Sequence, residues 1–176
     1  MMWRTLSSLL VISILVVSGC VEKKEIGKLE IRLNFSEFPK KYTLEGENTS
    51  PRIEISGIGD NVKSLVIILE DPDAPSKTFI HWLIWNIEPA EIIPENIPKK
   101  PEVTEPIKAL QGRNDFGRIG YDGPHPPPGE VHRYFFRVYA LGTMLDLSPG
   151  VGREELENAM KRHVIGYGEA MATYGR

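Results

Sequence analysis

From Leu29 the chain alternates apolar and polar positions, with Leu29, Ile31, Leu33 and Phe35 on one side and Glu30, Arg32 and Asn34 on the other. Side chains with a period of two point to opposite faces, so the spacing predicts a strand with one buried face. Ile53 and Ile55 repeat the alternation after the turn-rich stretch EGENTSP. Ser64 to Leu69 (SLVIIL) is a continuous apolar run rich in β-branched residues, as expected of a strand buried on both faces. Ile80 to Ile87 and Arg133 to Leu141 carry the remaining aromatic and β-branched density, the composition of half-buried or interior strands. Helical spacing is confined to Arg153–Val164, where Leu156, Ala159, Met160, His163 and Val164 share one stripe. Acidic residues open that segment and Lys161 and Arg162 lie near its end, an order that suits the helix dipole. Gly166 and Gly168 oppose continuing it, at about 1 kcal/mol each relative to alanine. The pattern predicts one mainly β body, most simply two packed sheets, with a C-terminal helix.

Composition adds a location to this picture. The chain has 176 residues, a net charge of −3, 14 prolines, 16 glycines and a single cysteine, Cys20. Its weak acidity and lack of a lysine or arginine run leave no electrostatic footprint for nucleic acid. The first nineteen residues read as a signal peptide: a basic start at Arg4, an apolar stretch from Leu6 to Val17, then small residues. That stretch is twelve residues long, short of the ~20 needed to span the hydrocarbon core. Val17-Ser18-Gly19-Cys20 resembles the lipobox of prokaryotic lipoproteins, which implies acylation of Cys20 and cleavage just before it. The organisation expected is a leader over 1–19, a lipidated cysteine and charged tether over 20–28, and one domain over 29–176. The mature protein would be held by lipid on the extracytoplasmic side of the cell membrane.

Three segments carry candidate chemistry. Glu70-Asp71-Pro72-Asp73-Ala74-Pro75 follows the buried strand, and its two prolines fix backbone angles around two carboxylates. His81-Trp82 opens the next strand, which invites a pairing of His81 with Asp71. Gly112 to Tyr134 packs five glycines and four prolines ahead of His132-Arg133-Tyr134. A histidine beside an aspartate is pushed toward its charged, doubly donating form. Backbone N–H groups freed by the glycine turns and the Tyr134 hydroxyl would add donors for an anion.

The DPDAP turn, the His81-Trp82 pair, Asn114-Asp115-Phe116-Gly117, Gly120-Tyr121-x-Gly123-Pro124 and His132-Arg133-Tyr134 together resemble the bacterial and archaeal branch of the phosphatidylethanolamine-binding protein family. The likeness runs from Leu29 to the closing Thr173-Tyr174-Gly175-Arg176. It implies a large antiparallel sheet packed with a smaller one, plus short helices. It also implies a small cavity for a phosphate-bearing or other anionic molecule, such as a phospholipid head group. Carried over by position, the pocket would contain Asp71, Ala74, His81, Gly123, His132 and Tyr134, with Asp73 and Pro126 nearby. Two positions depart from many prokaryotic relatives: Leu44 and His125 stand where cysteines are expected, which removes any thiol role and leaves His125 on the pocket rim.

Other chemistries have less behind them. No HxxxH, HxH or CxxC spacing supports a metal, no GxSxG or P-loop supports a nucleophile or nucleotide, and no cofactor is expected. The resemblance implies a binding protein, with an inhibitor of a protease or kinase as the second reading; a phosphoester hydrolase, using His and Asp as acid and base, is the third. Asp73 also suits turn chemistry, His163 reads as packing on the helix stripe, and Trp82, Trp85, Phe135 and Phe136 read as core.

Overall fold

The computed structural model describes residues 26–176. The leader, Cys20 and the first part of the tether lie outside the described residues. Among the described residues ten strands and one α-helix follow in order, with a short 3-10 turn at Lys40–Tyr42: β1 (Gly27–Lys28), β2 (Glu30–Arg32), β3 (Ile53–Ser56), β4 (Ser64–Asp71), β5 (Phe79–Ile87), β6 (Ile92–Ile93), β7 (Glu102–Val103), β8 (Ala109–Gln111), β9 (Val131–Leu141), α1 (Arg153–Met160) and β10 (Val164–Gly175). Seven form a large sheet in the order β1-β10-β9-β4-β5-β8-β7, and β2-β3-β6 form a small one. Every pairing is antiparallel except β1 with β10, so the large sheet is mixed at one edge. Among the described residues no helix is long and apolar enough to cross a membrane.

The central strand β4 is buried along its whole length. Leu65, Ile67 and Leu69 face the main core, which holds Ile53 and Ile55 of the small sheet, Trp82, Tyr134 and Phe136. Val66 and Ile68 face a second cluster with Leu83, Trp85, Leu156 and Met160. The apolar run SLVIIL is therefore a strand covered on both faces, by the small sheet on one side and α1 on the other. Burying Leu156 and Met160 contributes about 1.5–3 kcal/mol each and seats the helix. Phe135 departs from its expected place in the core, because the period of two turns it to the outer face, half-buried beneath the Arg133 and Arg137 guanidiniums.

The C-terminal region differs most from expectation. The helix stops at Met160, so Lys161, Arg162 and an exposed His163 lie past it, and the chain ends in β10, its longest strand. Gly166 and Gly168 mark a close approach within a strand. Leu29 N–H donates to the Tyr167 carbonyl at 2.8 Å. A Cβ on Gly168 would lie 2.3 Å from the Leu29 carbonyl oxygen. The same crossing makes Gly27–Lys28 a strand rather than tether, and only Glu30–Arg32 of the first alternation pairs within the small sheet.

Candidate functional site

A cleft of about 280 Å³ opens beyond the last β4–β9 ladder partners, Glu70 and Phe135. Asp71 ends β4, His81 lies near the start of β5, and His132 lies near the start of β9. Alternation along β9 sends His132, Tyr134 and Phe136 inward and Arg133 outward. His81 needs a different device. Leu69 pairs with Trp82 and Glu70 with Ile80, which leaves His81 as the extra residue of a β-bulge. A bulge re-aims side chains, and here both His81 and Trp82 reach the inner side.

The two histidines have opposite electrostatics. His132 Nδ1 is 2.7 Å from Asp71 Oδ2, and His132 Nε2 is 2.9 Å from Glu130 Oε2. Burial opposes its charge, but hydrogen bonds to Asp71 and then Glu130 outweigh it and hold its pKa above the ordinary value. Carboxylates only accept, so the imidazolium donates from both nitrogens. His81 pairs with a main-chain carbonyl instead of Asp71: its Nδ1 is 2.8 Å from the Asp122 carbonyl oxygen. Nδ1 must therefore donate, and burial pushes the His81 pKa down despite that bond. The neutral ring keeps Nε2 as an acceptor. The expectation of a charged His81 paired to Asp71 is thus replaced by a division of labour between one charged and one neutral ring.

Asp71, Ala74, His81, Pro126 and His132 line the cleft together. Gly123 and Tyr134 do not. The Gly123 N–H donates to Asn48 Oδ1 at 2.8 Å, so the donor expected to serve an anion is already engaged. Its lack of a side chain serves packing, since a Cβ there would lie 1.9 Å from the Tyr42 carbonyl oxygen. Tyr134 lies beneath the site, edge-on to His81 at 5.3 Å and stacked on His132 at 6.5 Å between ring centroids. Its buried hydroxyl has no hydrogen-bond partner among the described residues. Asp73 turns away: its carboxylate grips Arg133 at 2.6 and 2.9 Å while its N–H donates to Asp71 Oδ1 at 2.8 Å. That last bond orients the Asp71 carboxylate and closes the turn.

Sequence reasoning missed the walls. Phe79 and Phe116, 4.7 Å apart and edge-on, flank His81, and Pro75, Pro127 and Arg176 complete the lining. Phe116 is placed by Asn114, whose Oδ1 accepts the N–H groups of Phe116 and Arg118. His125 lines the rim, where its Nε2 accepts a 3.0 Å hydrogen bond from Arg176. Beneath the cleft, Asp122 accepts from Asn48, Lys99, Asn114 and Arg118. Burial alone would raise its pKa, yet these partners hold it below the ordinary carboxylate value. A signal for this hub lay in the tract already singled out, which contains Asn114, Arg118 and Asp122.

The comparisons agree with this architecture. The family model for phosphatidylethanolamine-binding proteins matches residues 33–175. A UPF0098 protein of Pyrococcus horikoshii is 52% identical over 97% of this chain and 87% of its own. One from Pyrococcus abyssi is 53% identical over 98% and 99%. Among solved structures, a phosphatidylethanolamine-binding protein homologue of Chlamydia trachomatis superposes with a TM-score of 0.76 at 36% identity, covering 85% of this chain and 99% of that one. E. coli YbcL, described as a member of the mammalian family, also gives 0.76, at 28% identity and 84% and 98% coverage. With its mixed seven-stranded sheet, its three-stranded partner and the His–Asp cleft at their end, the chain belongs to the phosphatidylethanolamine-binding protein family, in its prokaryotic UPF0098 branch.

Proposed function

We propose that this protein is a non-enzymatic binding protein whose cleft takes a phosphate-bearing or other anionic small molecule, a phospholipid head group among them. The observation that carries the reading is the His132 ring in the cleft lining, held at Nδ1 by the buried Asp71 carboxylate and at Nε2 by the exposed Glu130 carboxylate. Phe79 and Phe116 offer apolar walls to the organic part of such a ligand. The neutral His81 Nε2 accepts a hydrogen bond from a ligand hydroxyl or ammonium. The family description, phosphatidylethanolamine-binding protein, points to the same ligand class. The test is an NMR titration with inorganic phosphate and with glycerophosphoethanolamine, read on the imidazole resonances of His81 and His132. Shifts at both rings are expected, and unmoved rings with both compounds reject the reading.

The proposed setting is the extracytoplasmic face of the cell membrane, reached through a lipid on Cys20. It is supported by the lipobox-like Val17-Ser18-Gly19-Cys20 and by the charged residues that follow. Wild-type protein expressed in a prokaryote with lipoprotein processing is expected in the membrane fraction, with C20S released from it. Equal membrane association of the two rejects the anchor.

A further inference from the structure

We propose that Glu130 is a tethered competitor: its carboxylate holds the ligand position on His132 and must be displaced before an external anion binds. The inference rests on the anion-site reading above and adds what regulates that site.

Glu130 is pinned by its backbone and free at its side chain. Its N–H donates to the Pro127 carbonyl at 3.1 Å, its carbonyl accepts from Arg176 N–H at 3.3 Å, and the preceding Gly129 N–H donates to the Arg176 carbonyl at 2.7 Å. The carboxylate nevertheless reaches water, its side chain 53% exposed, against a His132 ring that is 4% exposed. His132 has two N–H donors. Nδ1 is held by Asp71, whose side chain is 5% exposed and has nowhere wetter to go. Only the Nε2 donor can exchange partners, and exchanging it moves an exposed carboxylate into water, where it loses little.

Charge gives the displacement a direction. Asp71, His132 and Glu130 together carry one net negative charge in the closed arrangement. Farther out, Asp73 is matched by Arg133, and Arg176 by Glu45 at 2.5 Å. An incoming anion therefore meets no uncompensated cation until Glu130 leaves. A simple carboxylate reproduces what Glu130 already supplies, and a tethered group of the same chemistry acts at an effective concentration on the order of millimolar. A phosphate brings more charge and more acceptor oxygens to the same N–H. The device thus favours phosphate-type oxyanions over carboxylates.

The test uses the whole mature domain, with inorganic phosphate and acetate as probes and the His132 resonances as readout, in the wild type, E130A and E130Q. Both variants change an exposed side chain whose backbone hydrogen bonds persist, and cooperative thermal unfolding checks that they fold. Phosphate is expected to bind each variant about fivefold or more tighter than the wild type, the equivalent of roughly 1 kcal/mol. Acetate binding is expected to become measurable in E130A only. Equal phosphate affinity in all three proteins overturns the displacement and leaves the anion site standing. Phosphate that moves His132 in none of them overturns both.

Discussion

Asp71 and His132 are 61 positions apart in sequence, yet their side chains meet at 2.7 Å just past the point where β4 and β9 stop pairing. The ladder holds the two strands in register up to Glu70 and Phe135; past it Asp71 supplies the carboxylate from β4, and His132, one inward-facing position beyond Tyr134, supplies the ring from β9. The ion pair thus inherits its geometry from a sheet that packs on both faces. Asp71 is further set by the Asp73 N–H, so the charged ring meets an acceptor that is already oriented.

The two cleft histidines are expected to titrate in opposite directions from the ordinary value of 6.5. His132 turns over above it and His81 below it, measurable by pH-dependent imidazole NMR. The signs for stability follow. The contribution of His132 is complete below 6.5 and is lost as pH rises through its raised folded value; that of His81 is present above 6.5 and is lost as pH falls through its lowered one. H132Q is expected to flatten the alkaline side of a plot of urea-unfolding free energy against pH, and H81Q the mildly acid side. A single shared midpoint for both rings contradicts the assignment.

Anion affinity is expected to fall as pH rises through the His132 transition, because that ring supplies the positive charge between Asp71 and Glu130. A phosphate titration across the transition checks this, with inorganic phosphate corrected for its own ionisation. Affinity that tracks only the His81 transition is the contrary outcome.

Asp122 is expected to be among the most sensitive positions of the site although no ligand reaches it. Its carboxylate, 2% exposed, is shared by Lys99 and Arg118, and its main-chain carbonyl holds His81 Nδ1. D122A leaves the Asn48 and Asn114 amides and two cations without their acceptor, and a loss of about 3 kcal/mol or more is expected in urea unfolding. The His81 resonance should broaden or shift in the same variant. A loss below ~1 kcal/mol removes Asp122 as the hub.

G123A is expected to destabilise without any loss of a ligand donor. A methyl group 1.9 Å from the Tyr42 carbonyl oxygen forces the 121–124 segment off the 42–43 backbone. Overpacking of this kind costs about 1–3 kcal/mol or more. A lowered thermal midpoint together with weakened phosphate binding is the expected pair of results, and wild-type stability contradicts the contact.

D73N separates the turn from the cleft. Arg133 holds the Asp73 carboxyl down at about 2 from 3.8, mainly through their hydrogen bonds. Its contribution is present above 3.8 and is lost as pH falls through about 2. Because Arg133 is 54% exposed, the loss at neutral pH is expected to be under ~1 kcal/mol. The backbone bond to Asp71 survives the substitution, so phosphate binding should be unchanged. Weakened binding would place the Asp73 carboxylate in the site.

The local patterns determined a large part of this protein. The SLVIIL run foretold a strand covered on both faces, since no polar side was left for water, and the Leu156–Met160 spacing located the helix. The DPDAP, His81-Trp82 and His132-Arg133-Tyr134 segments identified most of the cleft before any geometry. Tertiary structure alone decided three things. β10 was illegible because Gly166, Gly168, Ala170 and Ala172 occupy positions where a strand would normally display bulky apolar residues, and at Gly168 the missing side chain admits the Leu29 backbone. The protonation of the two histidines was illegible because it depends on which acceptor each meets: a buried main-chain carbonyl for His81, two carboxylates for His132. Glu130 gave no signal in the sequence because residues two apart at the start of a strand face the same side without touching by rule, and only the folded side chains show its carboxylate meeting His132 Nε2 at 2.9 Å.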